Sequence, residues 1–345
     1  MRYLLDSWYV AAFADELPLG GRLGRTLLGE NIVLFRTEQG AVAALRGICP
    51  HRFAPLAAGK VTGNAIECPY HGLRFGTDGA CVHNPHGEGQ IPRSARTRRF
   101  PSAERDGLVW LWMGAPERAD PSRIPDYSMV SSYPRSARIT CHIPSAANYE
   151  LMADNIMDLS HADFLHPGSL ATWGEVTRLR PEVREVDGGL QVAWAWSPSV
   201  APPIFASLLP AGGGCDMRLQ VNWWPAANMM VRFSCQPSGA AEPFEVRGCH
   251  LMTPENETST HYFFLGTRTY LLENTEYTRI QKEQILHAFS QEDKPIIEAV
   301  QRGMQTSDLW SLNPVLLPAD AGAVRVRRKL GALIEAQAAI ESPAQ

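Results

Sequence analysis

The stretch "CPHRFAPLAAGKVTGNAIECPYHG", residues 49–72, pairs a cysteine with a histidine twice, as Cys49-x-His51 and as Cys68-x-x-His71. Sixteen residues separate His51 from Cys68, with Gly59 and Gly63 between them and Gly72 just after. That spacing fits two loop tips on a β-scaffold. The flanking sequence agrees: "RTLLGENIVLFR", "GAVAALRGI", "GLRFGTDGACV" and "GLVWLWMG" are strand-length apolar runs, and the Gly-Glu-Asn and Thr-Asp-Gly interruptions read as hairpin turns. Residues 22 to about 113 are therefore expected to form an all-β domain, with the opening stretch in its loops.

Thiolate sulfur and neutral imidazole suit zinc, copper and iron, so ligand type leaves the metal open. Ligand order narrows it. Finger-like zinc sites usually draw two cysteines from one turn and two histidines from another, whereas here each loop contributes one of each. A [2Fe–2S] cluster of the Rieske type uses two cysteines on one iron and two histidines on the other. Two neutral imidazoles in place of anionic thiolates raise its reduction potential, which suits it to accept electrons from a ferredoxin or reductase. A zinc knot that only braces the domain is the competing reading.

At 345 residues the chain suits two domains, and 45% hydrophobic with 20% charged residues is close to the globular norm. A formal charge of -4, with Lys and Arg scattered, gives no basic field for nucleic acid. Asp6, Asp15 and Glu16 interrupt the first residues, unlike a signal peptide, and no apolar run approaches membrane-spanning length; the expected location is the cytoplasm. Of the seven cysteines, Cys81, Cys141, Cys215, Cys235 and Cys249 lack a comparable histidine spacing and read as small semi-buried hydrophobes.

Pro, Ser and charge dominate residues 114–136, which marks a domain boundary there: 1–120 for the first domain and 121–345 for the second. The second part opens with an expected helix over 146–166. Strands follow, with Met217, Leu219, Val221 and Trp223 on one face, and Met229, Val231, Phe233 and Cys235 on another. "EVRGCHLMT" and "TSTHYFFLGTRTY" add two more, and 274–306 and 320–339 read as helices. Grouped strands with helices before and after make an α+β layer, the sheet curving over a helix. The connection at 197–214 has the length of a lid or binding loop.

"NIMDLSHADFLHP" holds Asn155, Asp158, His161 and His166. On an ideal helix Asp158 and His161 fall within about 60° of one another, but His166 lies about 140° from His161. His166 reaches a shared metal only if the helix ends or distorts, and Pro167 makes an ending there plausible. Two imidazoles and a carboxylate form the facial triad of non-haem ferrous oxygenases. Taken alone, two ordinary histidines are the competing reading.

Together, "CPHRFAPL…CPYHGLRF" and "DNIMDLSHADFLH" resemble the Rieske non-haem iron oxygenases, in the branch of oxygenase components typified by vanillate O-demethylase and dicamba monooxygenase; "SWYVAA", "CVHNPHG", "TPENETSTHYFF" and "SQEDKPIIEAV" resemble the same branch. The resemblance implies an N-terminal Rieske domain and a C-terminal helix-grip domain. It implies a [2Fe–2S] cluster on Cys49, His51, Cys68 and His71, and one Fe(II) on His161, His166 and Asp293. It further implies a homotrimer in which one copy's cluster serves its neighbour's iron. Asp158 then bridges His161 to a neighbour's His71, and Asn155 stands close to the iron. Val231, Phe233 and Trp223 would line an aromatic pocket. His250 reads equally as a core histidine or a substrate contact, and Gln284 stands where the resemblance to dicamba monooxygenase would put a pocket tryptophan.

The implied reaction is O-demethylation of a vanillate-like methoxylated aromatic acid with dioxygen, giving a phenol and formaldehyde. Gly87-x-Gly89 lacks the third glycine of a dinucleotide fingerprint, so NAD(P)H would act through a separate flavin and iron–sulfur reductase, with or without a ferredoxin. The alternatives are benzylic methyl or ring hydroxylation at the same iron, or a Rieske electron carrier without catalysis.

Overall fold

The computed structural model describes residues 3–197, 201–209 and 214–341. The expected lid at 197–214 thus lies partly outside the described residues. The chain forms two compact units, one of residues 3–124 with 253–256, the other of 125–252 with the residues from 257 onward.

The first unit is built from three small antiparallel sheets. One orders the strands Trp8–Phe13, Leu108–Trp112 and Ser102–Arg105; a second holds Arg22–Leu27, Glu30–Arg36, Val42–Arg46 and Arg99–Phe100; a third holds Lys60–Thr62, Ala65–Glu67, Arg74–Gly76 and Cys81–His83. Leu28 and Gly29, both at positive φ, make the first hairpin turn, one residue earlier than the Gly-Glu-Asn reading. The opening stretch is not loop. Trp8–Phe13 is a strand paired with Leu108–Trp112, and the sequence disguises it because all six of its residues are buried, which erases the alternation of a half-exposed strand.

The third sheet and its neighbours enclose a core of Val33, Phe35, Leu45, Leu56, Ile66 and Phe75, and Cys49 and Cys68 are part of the same core.

The second unit centres on a seven-stranded antiparallel sheet. From one edge to the other the strands are Arg138–Ser145, Ser259–Arg268, Phe244–Asn256, Asn228–Pro237, Cys215–Trp224, Gly189–Trp196 and Glu182–Val186. The two stripes read from the sequence meet across one ladder: Met217 opposes Cys235, Leu219 opposes Phe233, Val221 opposes Val231 and Trp223 opposes Met229. They share one face of one sheet. The helices Tyr149–Met157, Thr275–His287 and Ala321–Glu341 pack against this sheet. Together they make the α+β layer that the strand grouping implied.

The reading 320–339 holds as Ala321–Glu341, but the other two long helical readings are each broken. The first helix stops at Met157, a 3₁₀ turn covers Leu159–His161, and a short helix covers Ala162–Leu165. The second is interrupted by a π-helical segment, Ala288–Asp293, between Thr275–His287 and Lys294–Met304. Both breaks carry site residues.

Gly59 tests how tightly the cluster-bearing unit is closed. It is buried, and a Cβ there would lie 1.8 Å from the Glu67 carbonyl oxygen. Gly59→Ala is expected to cost about 2 kcal/mol, as overpacking does, read as a lower thermal midpoint with earlier loss of visible absorbance.

Candidate metal centres

The two cysteine loops are wired alike. Cys49 N–H donates to the Ala54 carbonyl at 2.9 Å, and Phe53 N–H returns to the Cys49 carbonyl at 2.9 Å; Cys68 N–H donates to Leu73 at 2.8 Å, and Gly72 N–H returns to Cys68 at 3.1 Å. The residue four past each cysteine, Phe53 or Gly72, takes positive φ to close the loop. Two such loops aim Cys49, His51, Cys68 and His71 at one place.

Cys49 and Cys68 are 1% and 2% exposed, and the His51 and His71 rings approach to 4.6 Å between centroids. Burial, with Cys68 beside it, pushes the Cys49 thiol up to about 11. Buried thiolates at this position therefore need positive charge next to them, which bound iron supplies. Partial burial and the nearby charges of His51, His86 and Arg52 lower the pKa of His71, favouring the neutral ring a metal requires. His86 Nε2 donates to the His71 carbonyl at 2.9 Å. The residues fit the cluster.

The second constellation assembles from the two broken helices. Asp158 leaves helical geometry at φ -123, ψ 94, and its carbonyl accepts from His161 Nδ1 at 2.7 Å. That bond fixes the tautomer and turns Nε2 of His161 inward. His166, at φ -121 and ψ 48, ends the following short helix, so the ideal-helix angle between the two histidines no longer applies. Its Nδ1 bonds Glu292 Oε2 at 2.7 Å, which turns Nε2 inward as well.

Asp293, 6% exposed, closes the set: its Oδ1 lies 3.1 Å from His166 Nε2 and 3.5 Å from His161 Nε2. One donor atom from each of the three falls within 4.8 Å of the others. The π turn delivers this carboxylate. One extra residue per turn rotates Asp293 away from where a regular helix would point it, a distortion frequent at functional sites. Asn155 Nδ2 donates to Asp293 Oδ1 at 3.2 Å and sits 3.4 Å from His161 Nε2. Burial opposes protonation of His166, but the pull of Asp293 and Glu292 outweighs it and the pKa is raised. Two inward imidazole nitrogens and one carboxylate fit a divalent first-row metal.

Asp158 is placed differently from expectation within the chain. Its carboxylate caps the 3₁₀ turn, accepting from Ser160 N–H at 3.0 Å, and it is the backbone carbonyl that holds His161. Glu292 escaped the sequence reading, although it stands beside Asp293 in "SQEDK"; two adjacent acids on a regular helix would not face one centre.

The inner sheet face meets the triad through aromatic rings. His250, 6% exposed, pairs with Tyr262 OH at 2.6 Å and packs its ring 5.1 Å from Phe264 and 5.6 Å from Phe289. Burial pushes its pKa down to about 3, so the ring stays neutral. Tyr262 and Phe289 line a small cavity with Asn155 and Asp293. Phe233 lies further along the face, its ring 5.1 Å from Phe205 and 6.1 Å from Trp196, with Val231 and the fully buried Trp223 on neighbouring rungs of the same ladder.

A sulfur-and-imidazole pair of loops together with a two-histidine, one-carboxylate centre defines a Rieske-type oxygenase. Comparison with known proteins agrees. Residues 7–99 match the Rieske [2Fe-2S] domain, and residues 145–336 match the family described as the vanillate O-demethylase oxygenase C-terminal domain. The chain belongs to this family of Rieske non-haem iron oxygenase components.

Among its relatives are the dicamba O-demethylase oxygenase component of Stenotrophomonas maltophilia, 37% identical over 98% of this chain and 100% of that protein. The chloroacetanilide N-alkylformylase oxygenase component of Rhizorhabdus wittichii is 37% identical over 97% of each. The crystal structure of dicamba monooxygenase bound to 3,6-dichlorosalicylic acid superposes with a TM-score of 0.90, at 36% identity, over 98% of this chain and 100% of that one. Among the described residues no helix is long and apolar enough to cross a membrane.

Two outcomes are expected. Glu292→Gln, which removes the charge that orients His166, should weaken divalent-metal binding by roughly 10- to 100-fold, measured by competition with a chromophoric chelator. The His250 ring signals should not move in an NMR titration between about pH 5 and pH 9. Because its folded pKa lies below the ordinary 6.5, His250 contributes stability that is complete above that value and lost as the pH falls towards 3.

Proposed function

We propose that the chain is the terminal oxygenase that O-demethylates a methoxylated aromatic acid, with electrons passed from NAD(P)H by a separate flavin and iron–sulfur reductase. The overall change takes the methyl ether, dioxygen, two electrons and two protons to a hemiacetal and water; the hemiacetal then separates into a phenol and formaldehyde. The observation that carries this reading is the meeting of His161, His166 and Asp293 within 4.8 Å in a chain that also holds the paired cysteine–histidine loops.

His161, His166 and Asp293 would hold an Fe(II), and Cys49, His51, Cys68 and His71 a [2Fe–2S] cluster. Together these groups supply dioxygen reduction and one-electron delivery. The chain's own part is orientation and exclusion. The Asp158 carbonyl and the Glu292 carboxylate hold the two imidazoles with Nε2 inward, and Asn155 steadies Asp293 through its amide. Phe289, Tyr262 and Phe264 keep the inner side apolar, so a flat ring meets rings there. His250 is neutral and can accept or donate a hydrogen bond without bringing a charge into the pocket.

Trimeric assembly, with the cluster of one copy facing the mononuclear centre of the next, belongs to the same proposal. In it the Asp158 carboxylate exchanges its bond to Ser160 for a bridge between two subunits. The relatives' names divide over the bond attacked, an O-demethylase and an N-alkylformylase at equal identity. The reaction at a methoxy group is therefore the part to test first.

Reconstituted protein with a Rieske-oxygenase reductase and NADH should release formaldehyde and phenol in equal amounts from at least one methoxybenzoate. His161→Ala should abolish release while keeping the visible spectrum of the cluster. Hydroxylated product without formaldehyde would instead assign methyl or ring hydroxylation, and oxygen uptake unchanged by His161→Ala would leave only electron transfer.

A further inference from the structure

The helix Ala321–Glu341 packs against the helix Tyr149–Met157, and a buried charge joins the two. Arg327, 6% exposed, turns its guanidinium to the acids of the shorter helix. Its Nε donates to Asp154 Oδ1 at 3.0 Å and its Nη2 to Asp154 Oδ2 at 2.7 Å, a bidentate pair, while its Nη1 donates to Glu150 Oε2 at 3.0 Å. Glu150 and Asp154 stand one helical turn apart, so one side chain grips two turns. The shorter helix has no basic residue in its own last turn, and Arg327 brings positive charge to that end.

A second contact holds the same end. A Cβ at Gly322 would stand 3.3 Å from the Met157 carbonyl oxygen and 2.5 Å from Val192 Cγ2, so the longer helix meets the last residue of the shorter one with no side chain between.

The gripped residue is the one from which two arms of the metal site start. The Asp154 carbonyl accepts from Asp158 N–H at 3.0 Å, and the Asp158 carbonyl in turn accepts from His161 Nδ1 at 2.7 Å. The next residue, Asn155, donates to Asp293 Oδ1 at 3.2 Å. A side chain ends about 5 Å from a helix axis, so a turn of about 10° about that axis moves its end by about 1 Å. That is enough to misplace a ligand.

We propose that Arg327 is a positioning residue of the metal centre: its fork on Asp154 sets the rotation of the helix Tyr149–Met157, and with it the placement of His161 Nε2 and of the Asn155 amide on Asp293. A planar fork fixes direction as well as distance, which a point charge does not. All the side-chain hydrogen bonds of Arg327 go to Asp154 and Glu150, so it acts through them and not on the ligands. It can do so only if His161, His166 and Asp293 hold Fe(II), whatever the substrate.

The test uses the cluster-containing protein. Fe(II) affinity is measured by competition with a chromophoric chelator, and site geometry is read from the EPR signal of the ferrous site treated with nitric oxide. Arg327→Lys keeps the charge and loses the fork, whereas Asp154→Asn keeps the shape and loses the charge. Each is expected to weaken Fe(II) binding roughly tenfold and to change the rhombicity of the signal, with cluster absorbance unchanged. Leu330→Ala, which opens a cavity at a buried position of the same helix, should lower the melting temperature and leave affinity and signal unchanged.

Unchanged affinity or an unchanged signal in either Arg327→Lys or Asp154→Asn would overturn the proposal. So would loss of cluster absorbance in step with Fe(II), or an equal loss of affinity in Leu330→Ala, since stability alone would then set the site. Unmodified protein that binds Fe(II) no better than His161→Ala would instead overturn the Fe(II) reading itself, and the role of Arg327 with it.

Discussion

One buried carboxylate shared by two imidazoles and an amide is the constraint around which the second unit is arranged. A carboxyl group that is 6% exposed is costly unless its oxygens find partners. Asn155 donates to it at 3.2 Å, and His166 and His161 bring their inward Nε2 atoms to 3.1 and 3.5 Å, a set of donors that a bound cation would complete. The two imidazoles are in turn held from behind, His161 by a backbone carbonyl and His166 by Glu292. The consequences run outward. One helix must stop at Asp158 to turn His161, a short helix must end at His166, and a third must take a wide turn to bring Asp293 round.

The sequence shows this design unevenly, and the reasons are physical. Cys49, His51, Cys68 and His71 were legible because the ligands sit within two or three residues of one another, on loops whose glycines mark the turns. The stripe Met217–Trp223 was legible because its strand is buried on one side, which leaves a period of two, and Met229–Cys235 opposes it rung by rung. Trp8–Phe13 was not, since a strand buried on both sides carries no period.

The helix breaks at the site were harder still. Residues 146–166 and 274–306 keep helical composition throughout, and a break enforced by tertiary contacts leaves little local trace. Pro167 hinted at the ending beyond His166, but nothing in "AFSQED" announces a π turn. Asp293 was reachable only through resemblance, and Glu292 was hidden for the same reason.

The twin loops at Cys49 and Cys68 divide their ligands between two environments. Both sulfurs lie sealed within the apolar core of the first unit, while His51 is exposed and His71 half-exposed. Water therefore meets this centre only at nitrogen. A cluster held here would be open to water and protons at its ring side alone, with the sulfur side closed off, so the chain has built a wire stripped at one tip.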